Sequence, residues 1–418
     1  MALDQGSSIR YFGSDLKPYW ARNDLSTNEM LVQAATVASA LRATAESFDQ
    51  SLYDTHEKTG GTQYADLTSL VYRQTTGGIE KVWNPVVNET WVFMKEISSD
   101  GDVSTIDVLY PACPFFIDQA PETLRRMLLP LLSYANNETA TYGLDIQYNL
   151  SWAPHHLGTW PVCDLEPMDQ EQMPMEESGN LLLMIAAVAK RQGWDADAVG
   201  YLAPYLALLN TYADYIVGSL PDPEDQLCTD DFEGASPHNS NLAAKGIVAL
   251  EAWAEVLMLI EGQEDAAALY SSKAKEFSSD WLELALDPAG DHYKMEYDLD
   301  DTFSLKYNLF FQYVLELDGP FDDSVMAMEN KFYESQQNTY GVPLDNRADF
   351  TKLDWSMWVA AMASDDQFAA ITNMTWYWAN ETTSRVPFSD WTFTSIPEFV
   401  GFQARPVMGG LYAKMIMP

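Results

Sequence analysis

The chain has 418 residues, of which 47% are hydrophobic, so it can bury a sizeable core. It carries 23 basic and 62 acidic residues, which gives a formal net charge of −39. A charge of this sign and size repels nucleic acid and anionic membranes, and neither is expected as a partner.

Apolar residues at three- and four-residue spacing predict a largely helical chain. In chain order, the predicted helices cover residues 26–50, 62–77, 119–135, 176–192, 196–219, 239–261, 263–284, 303–317, 321–335, 351–363, 366–382 and 404–416. Short links such as RQGWDAD join several of them, as antiparallel hairpins require. Taken in pairs, these helices predict an all-α fold, an (α/α)6 barrel of six helical hairpins.

One stretch departs from the helical pattern. TWVFMKEISSDGDVSTIDVLYP, residues 90 to 111, alternates polar and apolar residues around Ser99-Asp100-Gly101, and Asp-Gly favours a tight turn. We predict a small β-hairpin excursion near residues 90–110. No linker rich in Pro, Gly and Ser divides the chain, so residues 1–418 are predicted to form a single domain, with residues 1–20 as an extended lead-in.

Sequence motifs give a prediction about location. The N-x-S/T sequons predict glycosylation at Asn88, Asn137, Asn149, Asn373 and Asn380, as in a secreted protein. The first residues, MALDQGSSIR, lack the basic and apolar regions of a signal peptide, so a secreted protein would have lost its signal or carried it upstream. No apolar run is long enough to span a membrane. We predict an extracellular glycoprotein.

Cofactor and metal motifs are missing from the sequence. There is no P-loop, GxGxxG, HExxH or EF-hand loop, and the 3 cysteines lack the paired spacing of a zinc site. We predict neither a cofactor nor a metal. The cysteines can form one disulfide and a free thiol, or three buried thiols. The Ser272-x-x-Lys275 motif lies on a charged amphipathic helix and is interpreted as surface, which leaves carboxylates as the reactive groups.

Four polar clusters precede or open predicted helices, and they supply the candidate site. The residues predicted to be catalytic are the acids Glu176, Glu177, Asp230, Asp231 and Asp354. The residues predicted to bind substrate are His155, His156, Asn180, Asn241, Lys245, Tyr340, Arg347, Asp349, Lys352 and Trp355. Each cluster also has a structural interpretation, as helix caps, first-turn carboxylates or surface ion pairs.

The barrel architecture gives these clusters a common place. Alternate loops of a barrel of inner and outer helices meet at one end, so the four clusters would form one acidic pocket with aromatic walls. A protonated and an ionised carboxyl in such a pocket are the groups needed for general acid and base hydrolysis. The residues alone therefore indicate a hydrolase-like pocket for a small polar substrate, such as an amino acid amide or a sugar.

Several long blocks of the sequence carry a resemblance to a known family. They read FMKEISSDGDVSTIDVLYPACPFF, MPMEESGN, TDDFEG with NLAAKGI, NTYGVPLDNRADFTKLDW and ARPVMGGLYA. In this order they resemble the fungal secreted glutaminase A family, from about Tyr19 to the end. The chain reads His155-His156-Leu157-Gly158 where relatives read something like HDLG, and it has Ser178 where a cysteine is expected.

The resemblance implies a domain of six helical hairpins and the hydrolysis of L-glutamine to glutamate and ammonia outside the cell. It also implies that longer relatives carry a β-rich N-terminal domain, which this sequence lacks. Two alternatives stay open, because a fold does not fix a function. One is a glycoside hydrolase that uses a pair of carboxylates in the same barrel, and the other is a non-catalytic carbohydrate-binding or structural module.

Overall fold

The computed structural model describes residues 7–384 and 387–418. Within them the α-helices are α1 Thr27–Gly60, α2 Thr62–Gly77, α3 Ile106–Gln119, α4 Pro121–Ala135, α5 Pro174–Arg191, α6 Ala196–Val199, α7 Leu206–Ser219, α8 Ser240–Leu257, α9 Glu264–Ala285, α10 Phe310–Val314, α11 Asp323–Ser335, α12 Leu353–Ala361, α13 Asp365–Glu381 and α14 Ala413–Ile416. The strands are β1 Ile9–Tyr11, β2 Ser14–Pro18, β3 Ile79–Asn84, β4 Glu89–Met94, β5 Val162–Cys163, β6 Phe350–Lys352 and β7 Trp391–Phe393. Two 3-10 segments, Tyr307–Leu309 and Pro406–Tyr412, precede α10 and α14.

Six buried segments form the inner wall of a closed barrel. Contacts run from α3 to α5, from α5 to α8, then to residues 307–314, to α12, to residues 406–416 and back to α3. Nearly every residue of α5, α8 and α12 is buried, as expected of helices surrounded by other helices. The predicted barrel of helical hairpins is therefore the architecture of the chain.

Outer helices alternate with the inner ones along the chain. The helix α9, which lies against α8, buries one face through residues spaced three and four apart, including Tyr270, Ala274, Phe277 and Trp281. Local signals set the helix ends. Ser26 caps α1 in a reciprocal pair with Glu29.

The prediction of an all-α fold is only approximate, because the chain also contains a curled five-stranded sheet. Its order is β4-β3-β2-β1-β5, and β1 pairs with β5 in parallel while the other pairs are antiparallel. The N-terminal residues predicted as an extended lead-in supply β1 and β2. The sheet places residues 9–18 against the loop that ends in β5.

The predicted β-hairpin near residues 90–110 is wrong in its pairing. β4 pairs with β3, which precedes it, so that Ile79 faces Met94. The predicted turn closes only one bridge, between Lys95 and Val103. The following residues begin helix α3, which was not predicted. A short apolar run reads alike as a buried strand or a buried helix, and α3 is in addition unusual in containing Pro111 and Pro114.

Two other predicted helices are much shorter than expected. Residues 303–317 contain only a 3-10 turn and α10, and residues 404–416 are mostly 3-10. In the second case the backbone approaches α3 very closely. A Cβ on Gly409 would lie 2.7 Å from the Ala112 carbonyl oxygen, and one on Gly410 would lie 2.8 Å from that of Pro111.

The structure shows the state of the cysteines and the character of the helices. Cys113, Cys163 and Cys228 are free, buried thiols. No helix among the described residues combines the length and apolar character needed to cross a bilayer.

Candidate active site

The polar clusters meet where the inner segments begin. The starts of α3, α5 and α8 converge at one end, because His155 contacts both Asp107 and Glu177, and Lys245 contacts Glu176. We call this end the mouth. It gathers residues from the starts of α3, α5, α8 and α12 and from the loops before them.

The loop of residues 153–158 is held between α3 and α5 at the mouth. The Ile106 N–H donates to the His155 carbonyl oxygen at 2.8 Å, which fixes the loop to the start of α3. The Ala153 N–H donates to Ser178 Oγ at 3.1 Å, which fixes it to α5. The Gln170 side chain accepts the His155 N–H at 2.7 Å. Ser178, where a cysteine is expected, thus serves as an acceptor for this loop.

This anchoring places His155 between two carboxylates. Its Nε2 atom lies 3.5 Å from Asp107 Oδ1 and 3.7 Å from Glu177 Oε1. One ligand-type atom from each of the three residues lies within 4.8 Å of the others. Glu177 is fully buried, whereas the Asp107 side chain keeps 12% of its surface exposed. Asp107, His155 and Glu177 form the central triad of the mouth.

The central triad separates the protonation states of its two acids. Burial and the charge of Asp107 raise the pKa of Glu177 well above its ordinary value. Burial also acts to raise the pKa of Asp107, but contact with His155 brings it below the ordinary value. Burial would lower the pKa of His155, yet Asp107 and Glu177 raise it to about 10. At neutral pH the result is a protonated Glu177, an ionised Asp107 and an imidazolium.

Glu176 lies below the central triad in a different environment. It forms an ion pair with Lys245, and both side chains are fully buried. Asn180 donates to Glu176 at 3.0 Å and to Glu177 at 3.1 Å, so it links the two glutamates. Gly179 makes room for this arrangement, because a Cβ there would lie 2.9 Å from Lys245 Cγ.

Both glutamates lie in the first turn of α5, where a carboxylate interacts favourably with the helix dipole. Within the described residues neither accepts a bond from a backbone N–H, and both bond to Asn180. Glu177 faces Asp107 rather than Asp230 or Asp231.

Asp230 forms the wall that faces α12. Tyr307 donates to its Oδ2 at 2.6 Å, and the Tyr307 ring stacks on Trp355 with centroids 4.1 Å apart. Burial raises the pKa of Asp230 to about 7 despite this bond. Asn241 lies deeper and bonds to Asn308, joining α8 to the next inner segment.

Asp231 and Glu233 extend this wall towards solvent. Burial and the charge of Asp107 raise the pKa of Asp231 to about 7. Burial and Asp345 raise the pKa of Glu233 to about 9. Arg347 bonds to Asp345 and lies 3.5 Å from Glu233.

A second charged group, formed by Lys352, Asp354, Asp390 and Arg405, closes the mouth on the α12 side. Lys352 pairs with Trp391 in the register of β6 and β7, which brings it beside Asp390. Its Nζ atom lies 3.0 Å from both oxygens of Asp354 and 2.6 Å from Asp390 Oδ2. Burial raises the pKa of Asp354, and opposes the lowering of the pKa of Asp390 by Lys352 and Arg405.

Two residues predicted to bind substrate, Tyr340 and Asp349, bond to residues outside the central triad. Tyr340 donates to Glu381 on α13, and Asp349 bonds to Asn338 and to residues after β7. The His156 ring lies 3.4 Å from Asp102 and packs edge-on against the His155 ring with centroids 5.3 Å apart, so it borders the central triad. The other predicted site residues are brought together at the mouth, although their roles stay predictions.

The predicted glycosylation sites lie on the periphery. Asn88, Asn137, Asn149 and Asn380 belong to exposed residues, and Asn373 is half-buried on α13. The Asn137 side chain already bonds to the backbone of Tyr148.

Sequence reasoning missed Asp107, Glu96, Asp390 and Arg405. Asp107 was hidden because its helix was interpreted as a strand, although an acid inside the apolar run TIDVLYPACPFF was a usable signal. Glu96 accepts a bond from Thr105 at 2.7 Å next to Asp107. Asp390 and Arg405 are isolated in the sequence and join the site only through β7 and the last inner segment.

Two surface cavities lie elsewhere. One of about 850 Å³ is lined by residues such as Arg73 and Trp378, between α2 and α13. Another of about 760 Å³ lies near the C-terminus, beside Tyr313 and Pro418. Neither includes a residue of the central triad. We favour the mouth because its buried, opposed ionisable groups have a chemical use, whereas these cavities lack such a group.

Fold and site together define a six-helical-hairpin barrel with a buried carboxylate centre. The chain belongs to the glutaminase A six-helical-hairpin family, since the model of that domain matches residues 61–415. It is 33% identical to glutaminase A from Aspergillus oryzae over its full length, and 26% identical to a probable glutaminase from Arthroderma benhamiae over 95% of its length.

The chain spans only 60% and 54% of the lengths of these two relatives. Among solved structures, a metal-independent α-mannosidase from Streptococcus pneumoniae, in complex with α-1,6-mannobiose, aligns with a TM-score of 0.56 at 10% identity. The alignment covers 88% of this chain and 96% of that one. At such low identity the likeness concerns the fold alone.

Proposed function

We propose that this protein is a hydrolase in which Asp107 is the general base and Glu177 the general acid. The observation that carries the proposal is the pair itself. Two carboxyls lie close together around one histidine, and their surroundings drive their pKa values apart, below the ordinary value for Asp107 and well above it for Glu177. Opposed pKa values assign the base and the acid.

The favoured substrate is L-glutamine. Ionised Asp107 takes a proton from a water molecule, whose oxygen attacks the side-chain amide carbon. Glu177 gives its proton to the amide nitrogen as the C–N bond breaks, and ammonia and glutamate leave. The proton gained by Asp107 is returned through water to Glu177, which restores the starting state.

The role of His155 follows from its charge and position. The oxygen of an attacked amide becomes negative, and an imidazolium already held in place stabilises it without reorganisation. Asp107 and Glu177 flank Nε2, while Nδ1 is buried and has no bonding partner among the described residues. We assign His155 to transition-state stabilisation and to orienting Asp107.

The family match and the relative named glutaminase A support the choice of L-glutamine. The enclosed mouth adds to this, since both Glu177 and the neighbouring Glu176 are fully buried. A substrate that reaches these buried carboxyls must fit inside the mouth, which favours a small molecule.

A glycoside is the second candidate substrate. Carboxyls about 5 Å apart are typical of glycosidases that form a covalent intermediate, and the atoms of Asp107 and Glu177 lie within 4.8 Å. In that case Asp107 attacks the anomeric carbon while Glu177 protonates the leaving oxygen. Water, deprotonated by Glu177, then displaces Asp107 from the anomeric carbon and releases the sugar.

One experiment separates the two substrates. Purified protein is given L-glutamine and a panel of aryl glycosides, and released ammonia and released aglycone are measured. Ammonia release that is lost in Glu177→Gln supports the amidohydrolase. Aglycone release without ammonia supports the glycosidase, and no release from either substrate contradicts the proposed hydrolase.

Secretion and glycosylation belong to the same proposal. Protein from a fungal host should carry glycans, and its intact mass should fall after enzymatic removal of N-linked sugars. An intact mass equal to that of the bare chain contradicts this part.

A further inference from the structure

The basic side chains of the mouth differ in how many hydrogen-bond and ion-pair partners they have. Lys245 is paired with Glu176, and Lys352 lies between Asp354 and Asp390. These lysines neutralise acids of the protein, and their positions offer no further partner to a substrate.

Arg347 is also fully engaged. Its Nε atom lies 3.1 Å and 3.0 Å from the two oxygens of Asp345, and its Nη2 atom lies 2.7 Å from Oδ2. Its Nη1 atom donates to the Gly234 carbonyl oxygen at 2.9 Å. All edges of this guanidinium are occupied by protein oxygens.

Arg405 is the exception. It is only 7% exposed, and its nearest anion is Asp390, whose Oδ2 lies 3.6 Å from Nη1 and is already 2.6 Å from Lys352. Within the described residues its guanidinium makes no hydrogen bond, and its Nε is buried without a partner. An unbonded donor in such a place is costly unless a ligand completes it.

Arg405 belongs electrostatically to the mouth. Asp107 and Glu96 are among the charges that act on it, and the face of its guanidinium lies 4.4 Å from the centroid of the Phe402 ring. Stacking on an aromatic ring fixes the plane of a guanidinium and leaves its edge free for a planar anion.

The geometry points to Arg405 as the residue that binds a carboxylate group of the substrate, through paired N–H···O bonds. This inference rests on the proposed function, since it takes the mouth as the active site. It narrows the substrate to molecules with a carboxylate near the bond that is cleaved.

Two kinds of substrate carry such a group, an amino acid amide with its α-carboxylate and an acidic sugar. The probes are L-glutamate, compared with its α-methyl ester, and D-glucuronate, compared with its methyl ester. Binding of each probe to the intact protein is measured by titration calorimetry. Selective binding of glutamate indicates an amino acid substrate, and selective binding of glucuronate indicates an acidic sugar. Equal affinity for acid and ester overturns the inference.

Variants assign the effect to this residue. Arg405→Lys keeps the charge but removes the paired geometry, and Arg405→Gln removes both. We expect each to weaken binding of the free acid by about tenfold or more and to change the ester little. The matched control is Arg126→Lys, since Arg126 pairs with Glu122 on α4 outside the mouth, and it should leave the preference for acid over ester intact. Thermal unfolding of every variant shows whether it is folded.

The outcomes separate the inference from the proposed function. Hydrolysis that does not depend on Arg405 overturns the inference alone. Carboxylate binding that depends on Arg405, without hydrolysis of any substrate, overturns the proposed function alone.

Discussion

At the scale of single residues, the mouth depends on one histidine with two unlike neighbours. The same contacts that place His155 between Asp107 and Glu177 set the charges of all three. A change in one member should therefore be detectable in another. This coupling distinguishes a built site from acids that merely lie near each other.

Asp107→Asn should lower the pKa of His155 markedly. Burial acts to lower this pKa, and contact with ionised Asp107 is the main influence that raises it to about 10. With an amide at position 107, the ring should lose its proton at a pH several units lower. Titration of the imidazole signals by NMR measures this, and a His155 pKa that stays near 10 contradicts the assignment. Asp102→Asn, near His156 instead, is the matched control.

At the scale of secondary structure elements, α5 and α8 meet closely because Gly179 has no side chain. Gly179→Ala should destabilise the protein by about 1–3 kcal/mol, since the new methyl group must displace Lys245 from Glu176. Chemical denaturation with circular dichroism detection measures the free energy of unfolding.

Gly218→Ala on α7 is the matched control, because no atom lies within 4 Å of its Cβ position. Alanine there should be neutral or stabilise the helix by up to about 1 kcal/mol. Equal effects of the two substitutions would contradict the close approach of α5 and α8.

The elements also show where the sequence was informative. Outer helices such as α9 have one apolar face, and their periodicity predicted them well. The inner helix α3 is buried on nearly every side, so it has no periodicity, and it was mistaken for a strand together with its Asp107. Arg405 could not be assigned either, since its place depends on the closure of the barrel by the last inner segment.

At the scale of the whole molecule, the acids that are buried at the mouth make stability depend on pH. Burial raises the pKa of Asp230 to about 7 in the folded protein, whereas an unfolded aspartate titrates near ~4. The folded state therefore holds a proton that the unfolded state has lost. Stability falls as pH rises between these values, by about 1.4 kcal/mol per unit for one such group.

His155 also makes the protein less stable as the pH rises, but it does so at higher pH than Asp230. Its pKa is raised by Asp107 and Glu177 to about 10, so its contribution is complete below about 6.5 and is lost as pH rises through 10. We expect a higher Tm at pH 5 than at pH 8. The repulsion that arises from the net charge of −39 also weakens as the pH is lowered.

In Asp230→Asn the free energy of unfolding should depend less steeply on pH between pH 4 and 7. An unchanged slope contradicts the assigned pKa of Asp230.

The most direct test of the central claim is ammonia release from L-glutamine, beside the glycoside panel, by the native protein, Glu177→Gln and Glu251→Gln. Glu251 is a matched control, because it is another buried acid whose pKa is raised by burial, but it lies near the far end of α8. We predict that the first substitution lowers kcat by about 10²-fold or more with the fold intact, while the second leaves most of the activity. Full activity in Glu177→Gln would contradict the account.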